Sequence, residues 1–267
     1  TYKCFKELPQ TNMLKKSLIL VLFWAIDSAA VAQQNPQFKF EKANQLLQQG
    51  KIEQALHDYK QLAENEQVSG ALFINMGYAN LELGKLGKAK YYYLKAKQFD
   101  STQKQAAEGL DYVQSRLSHK SVILPPLPWE KALDWFRHTF GMTLLLAVGL
   151  FLIHLGVVVL ALSWLRQVNS PLIGKVTAGI AALGILIMLL SFYINYRQQR
   201  YSAAVMITPQ STVMEQPAAK ADSVNKAYEG YRFMVDHKKS QNHKQWIYVR
   251  MSNGSWGWIR RKEIMIL

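Results

Sequence analysis

The chain has 267 residues, a formal net charge of +14 from 32 Lys and Arg against 18 Asp and Glu, and a single cysteine. Its length accommodates about two domains. The excess charge is spread along the chain, which excludes the concentrated basic surface of a dedicated nucleic-acid binder, and the lone Cys4 excludes a disulfide framework or a thiolate metal site.

In chain order, Lys15-Lys16, the largely apolar run 17–26 and Ala30-Val31-Ala32 have the three regions of a secretory signal peptide. This reading places the start at Met13, cleavage after Ala32, and residues 1–12 in an upstream extension. Asp27 leaves an uncleaved anchor open as the alternative. Either one exports the chain from residue 33 onward.

The triad Gly50, Ala55 and Tyr59 recurs 34 positions later as Gly84, Ala89 and Tyr93, and a repeat of that period signals stacked helical hairpins. Apolar residues fall at helical spacings on both sides of each glycine, and Gly suits a helix stop because it tolerates the left-handed conformation. Small residues at 77 and 89 allow two antiparallel helices to approach closely, with Tyr59 and Tyr93 filling the space between hairpins. The segment 38–101 resembles the tetratricopeptide repeat, whose resemblance implies a protein-interaction scaffold. Residues 102–117, with Ala106, Leu110, Val113 and Leu117 on one face, read as a capping helix, so the module is expected over 38–118.

Pro125-Pro126-Leu127-Pro128 marks a boundary within a linker and interfacial segment, 119–138, where Trp129, Trp135 and Phe136 suit a membrane surface. Residues 139–165 hold only His154 as an ionisable group and exceed the roughly 20 apolar residues that span a bilayer. A second span is expected over 176–194, after a short cytoplasmic link, 166–175. Gly149 and Gly156 in the first span, with Ala178, Ala182 and Gly184 in the second, offer small surfaces for packing. Arg166 and Lys175 in an acid-free link favour its cytoplasmic placement, which puts both soluble modules on the opposite side.

From residue 203 the pattern changes to short β-rich runs, AVMI, YRFMV, WIYVRM and WGWIR, separated by Pro, Gly and Asn. The Glu229-Gly230 turn, the Asn253-Gly254 pair and Gly257-Trp258-Ile259 resemble a bacterial SH3-like domain over 203–267. The expected fold is thus a multidomain membrane protein: all-α tetratricopeptide hairpins, a two-helix transmembrane hairpin and a small all-β SH3-like barrel.

Few residues suggest chemistry. His154 reads either as a functional intramembrane group or as a neutral imidazole bonded across the hairpin. His57-Asp58 are adjacent on a helix and point apart. His237 and His243 with Lys238, Lys239 and Lys244 match no usual ligand spacing, and Arg260-Arg261-Lys262 beside Trp256 and Trp258 could meet anionic lipid or wall polymer, with a place in the core for at least one Trp. No phosphate loop, nucleophile elbow or zinc motif is present, so no enzyme, catalytic residue, cofactor, metal or small-molecule substrate is expected.

The order of modules, from FEKANQLLQQG through ILPPLPWE to GSWGWI, is similar to the BatE proteins of the Bacteroidetes aerotolerance group. That resemblance implies a bacterial inner-membrane protein, its soluble modules periplasmic, working beside von Willebrand A-domain Bat proteins and a MoxR-type ATPase in envelope integrity or stress tolerance. The expected partner-binding residues are Asn44, Asn75, Tyr78 and Asn80 on the concave helical face. The rival reading is a peptidoglycan binder or sensor using Tyr231, Trp246, Trp256 and Trp258.

Overall fold

A computed structural model describes residues 35–119, 128–167 and 170–267. The signal-peptide reading and residues 120–127 of the proline-marked linker fall outside them. The chain divides into two compact units, one ending at Arg116 and the other beginning at Leu117.

In the first unit, helices α1 (Pro36–Gln48) and α2 (Ile52–Glu64) form one hairpin, α3 (Gly70–Glu82) and α4 (Leu86–Ala96) a second, and a 3-10 turn (Asp100–Thr102) leads into α5 (Gln103–Arg116). Both helices of the second hairpin start 34 residues after their counterparts, so the sequence period is also a structural one. Asn35 caps α1 by accepting from the Gln37 amide at 2.9 Å, and Ser69 caps α3 by accepting from the Leu72 amide at 3.1 Å.

Gly50 and Gly84 end the first helix of each hairpin at φ +74° and +70°. The Lys51 amide then donates to the Leu46 carbonyl and the Gly50 amide to that of Leu47, a Schellman closure repeated by Lys85 with Asn80 and Gly84 with Leu81. Two helix ends are satisfied with no side-chain cap.

Tyr93 is buried between Gly77 of α3 and Gly109 of α5. A Cβ on either glycine would lie 2.8 or 2.7 Å from its ring. Tyr59 is fully buried in the equivalent place of the first hairpin.

The second unit opens with α6 (Pro128–Leu165), broken at Gly141, whose φ of 65° and ψ of 161° are not helical. The aromatic segment preceding the break, with Trp129 and Trp135 largely exposed, is thus a helix in its own right. Helix α7 (Pro171–Arg200) starts earlier than the sequence suggested, because Pro171 is well suited to a first helical position. The link shrinks from 166–175 to 166–170, and Lys175 lies within α7. Thr139–Leu165 and Pro171–Arg200 are long and apolar enough to cross a bilayer.

These helices pack as an antiparallel pair along a seam spaced by threes and fours. Gly149 and Gly184 meet back to back: a Cβ on Gly184 would lie 2.8 Å from the Gly149 carbonyl oxygen. Gly156 faces Thr177 and Ala181, whereas Ala178 and Ala182, expected in the seam, are exposed. The periodicity explains the shift, since Thr177, Ala181, Gly184, Met188 and Ser191 share one face of a 3.6-residue helix.

The chain leaves α7 directly into an antiparallel sheet of β1 (Tyr201–Met206), β2 (Gln210–Met214), β3 (Ser223–Tyr228), β4 (Arg232–Asp236), β5 (Trp246–Met251), β6 (Trp256–Arg260) and β7 (Ile264–Ile266). A one-turn helix α8 (His237–Ser240) lies between β4 and β5. The strand order β3-β2-β6-β5-β4-β1-β7 leaves β3 and β7 at two edges, so the expected barrel is an unclosed sheet among the described residues. Its final strand has only three residues, and β2 joins β6 through a single registered pair, Met214 with Trp258. One face forms the core, built from Val213, Phe233, Val235, Ile247, Val249 and Ile259.

Candidate functional site

The repeat period that builds the helical unit also aligns its surface. Position 44 on α1 maps onto 78 on α3 and 112 on α5, which places Asn44, Tyr78 and Tyr112 at one repeated position of the first helices and the cap. Tyr78 and Tyr112 are 46% and 47% exposed, Tyr78 among buried neighbours on α3. Tyr112 is absent from the residues expected at this face, but adding 34 to 78 finds it.

Asn44 is half-buried and its Oδ1 accepts two hydrogen bonds, from the Tyr59 hydroxyl at 2.7 Å and from Asn75 Nδ2 at 2.8 Å. Asn44 and Asn75 therefore tie α1 to α3. Asn80 must be removed from the expected binding face: it is 1% exposed and donates from Nδ2 to the Met76 carbonyl at 2.7 Å. Helical geometry explains the error, because 80 falls two residues past 78 and so turns to the other side of α3.

The phenols here are hydrogen-bonding groups. Burial pushes Tyr59, Tyr92 and Tyr93 up to about 12, and the neighbouring Glu82 carboxylate raises exposed Tyr78. All remain protonated at neutral pH.

His57 contacts Gln61 one turn away at 3.0 Å and, with Asp58, lines a shallow groove shared with Lys42, Leu46, Glu53 and Gln54. The expected bond from His154 across the helical hairpin is not formed. Its ring Nδ1 lies 2.8 Å from the Leu150 carbonyl of its own helix, and the side chain is exposed on the outer face.

On the sheet, alternation along β5 and β6 turns Trp246, Tyr248, Arg250, Trp256, Trp258 and Arg260 away from the core. Register pairs them as Trp246 with Arg260, Tyr248 with Trp258, and Arg250 with Trp256. Tyr248 stacks on Trp256 at 5.4 Å and meets Trp258 edge-on at 5.1 Å, while the Lys239 ammonium lies 4.3 Å from the Tyr248 ring centre. Trp246, Trp256 and Trp258 are all partly buried on this face, and none of the three fills the core, because Ile247, Val249 and Ile259 occupy the inward positions. Tyr231 is displaced from the expected ligand face: it packs against the core cluster and touches Tyr228. Tyr248 takes its place, a residue the alternation Trp246-Tyr248-Arg250 already implied.

His237 and His243 are held apart. His237 Nε2 is 2.9 Å from the Ser202 hydroxyl, and His243 packs edge-on against Trp258 at 4.6 Å.

Asp236 is the most constrained carboxylate of the sheet. Its side chain accepts from Arg200 at 2.9 Å and from the Lys239 amide at 3.1 Å, joining the end of α7 to the start of α8. Burial raises its pKa, but the Arg200 and backbone hydrogen bonds outweigh that effect and hold the carboxyl below its ordinary range. A depressed folded pKa stabilises the fold above the unfolded value and loses that contribution as pH falls through the folded one. The thermal midpoint of the sheet, read by tryptophan fluorescence, is therefore expected to be flat above about pH 5 and to fall below about pH 4. In Asp236→Asn that acid-side fall should be reduced.

No protein-family model and no curated protein matches the chain. Solved structures resemble it weakly, two of them as follows. One, described as the crystal structure of MamA, gives a TM-score of 0.32 at 10% identity, covering 73% of this chain and 99% of that one. The other, residues 1–338 of Acl4, an assembly chaperone of RpL4, gives 0.26 at 20% identity, with 60% of this chain and 54% of that one covered. The chain thus spans about half the length of the chaperone fragment it matches. The repeat architecture rests on the 34-residue register and the paired glycine helix stops within this chain.

Proposed function

We propose that the protein is a non-enzymatic, membrane-anchored adaptor whose helical unit holds a peptide or helix of a partner along Asn44, Tyr78 and Tyr112. The observation that carries this reading is the repeated exposed position: two tyrosines lie about half open at equivalent positions of successive layers. Tyrosine supplies contact area and a hydrogen-bonding tip at low entropic cost, which suits a protein-binding face. The apolar pair Thr139–Leu165 and Pro171–Arg200 supports a bilayer anchor. Arg166 and Lys175 remain within reach of its short turn and favour the cytoplasmic side there, with both soluble units on the periplasmic face of a bacterial inner membrane.

The resemblance to BatE proteins directs the choice of partner toward a von Willebrand A-domain membrane protein of a Bat-type envelope complex. Detergent-solubilised protein should capture that partner, and Tyr78→Ala with Tyr112→Ala should reduce recovery by about tenfold or more, the scale of an interface hot spot. Unchanged recovery by the double variant would overturn the assignment of this face.

The aromatic and cationic face of β5 and β6 favours a second reading, peptidoglycan binding or sensing. Sedimentation with purified cell wall that is lost in Trp256→Ala plus Trp258→Ala would select it.

A further inference from the structure

The sheet is not hung on a flexible tether. β1 begins at Tyr201, the residue after α7 ends, and Tyr201 pairs with Asp236 on β4. Since β1 runs away from the helix and β4 runs back toward it, α8 continues from Asp236 alongside the last turn of α7. This return is fixed at several points. Asp236 binds Arg200, His237 meets Ser202, and the Ser240 hydroxyl donates to the Asp236 carbonyl at 2.6 Å and accepts from the Tyr248 amide at 2.8 Å.

We propose that Lys238 and Lys239 of this turn, with Lys244 beyond it, form a binding site for the headgroups of anionic phospholipids. The proposal rests on the membrane-anchored reading of α7. Thirty residues of helix span about 45 Å, which matches the roughly 40–45 Å of a bilayer with its headgroup layers. Arg200 then lies at the outer edge of that layer, and α8, turning back along the helix, enters it.

The neighbouring chemistry agrees with that depth. Tyr193 and Tyr196 are exposed on the last turns of α7, as interfacial aromatic residues are. Lys238, Lys239 and Lys244 are exposed, and the only carboxylate between 236 and 246 is Asp236, already engaged by Arg200. Exposed amines on an anchored turn with no acid nearby in the chain complement a phosphate-bearing surface. A soluble acidic peptide would share their charge preference but not their position at the end of an apolar helix.

The test uses the full chain in nanodiscs of phosphatidylcholine alone or of an equimolar mixture with phosphatidylglycerol, reading lysine acylation rates by mass spectrometry. Anionic lipid should slow Lys238 and Lys239 by about fivefold each, the factor corresponding to roughly 1 kcal/mol per basic residue at such a surface. Lys226, exposed on edge strand β3, should change much less. Equal rates in the two lipids, or equal slowing at Lys226, would overturn the headgroup site while leaving the anchor intact. Release of the chain from vesicles by alkaline carbonate would instead overturn the anchor, and this proposal with it.

Discussion

Gly77→Leu is expected to unfold the second helical hairpin well before the rest of the protein. A Cβ at this position would stand 2.8 Å from two ring carbons of Tyr93, and that ring is pinned from the opposite side by Gly109. Moving it away from one glycine drives it into the other. Overpacking of a fixed core costs about 1–3 kcal/mol and occasionally more, and the lack of any escape places this case near the top of that range. The thermal midpoint of helix loss should fall by roughly 10 °C or more, followed by circular dichroism, with hydrogen exchange accelerated across α3 to α5. Gly84→Ala provides the contrast. Nothing lies within 4 Å of its Cβ position, so only the positive φ of 70° opposes the change, at about 1 kcal/mol. Equal effects of the two substitutions would show that Tyr93 is not the wedge between hairpins.

Gly257→Val should have a comparable effect on the sheet. There the added Cβ would lie 2.5 Å from Val213 Cγ1 and 2.7 Å from the Met214 carbonyl oxygen. The second contact is with backbone, so no rotamer change relieves it. Because β2 reaches β6 through the single pair Met214–Trp258, the β2–β3 hairpin should separate from the sheet and expose Val213 and Ala227. A loss of about 3 kcal/mol is expected. Limited proteolysis should then cut between 215 and 222, in the turn joining β2 to β3, with Trp258 emission shifted to longer wavelength. A wild-type cleavage pattern would contradict the role given to Gly257.

Elements carrying their own stop signals are legible in the residues alone. Gly50 and Gly84 mark two helix ends that the structure closes with matching Schellman bonds, and Asn253-Gly254 marks the hairpin between β5 and β6. The runs around 204, 232, 246 and 256 form β1, β4, β5 and β6. Strands β2 and β3 are not announced, because Gln210–Met214 and Ser223–Tyr228 are short and largely polar, and a strand declares itself by hydrophobic alternation. Helix α8 is hidden for a related reason: one turn has no periodicity, and its start depends on Asp236 accepting from the Lys239 amide.

Site residues divide along the same line. Tyr78 is exposed and the tryptophans at 246, 256 and 258 are partly buried on the face away from the core, whereas Asn80 is buried and Tyr231 packs against the core. A residue type suited to binding says nothing about which way a helix is rotated or where a loop ends.

By itself, the sequence determined the 34-residue period, the two apolar helices and the change to β structure near residue 203, because each depends on local spacing and composition. Tertiary structure alone decided that Tyr93 is wedged between two glycines, that Thr177 and Ala181 rather than Ala178 and Ala182 face the first apolar helix, and that Arg200 binds Asp236. Those contacts join residues distant in the chain. Close packing selects among faces that local periodicity leaves nearly equivalent.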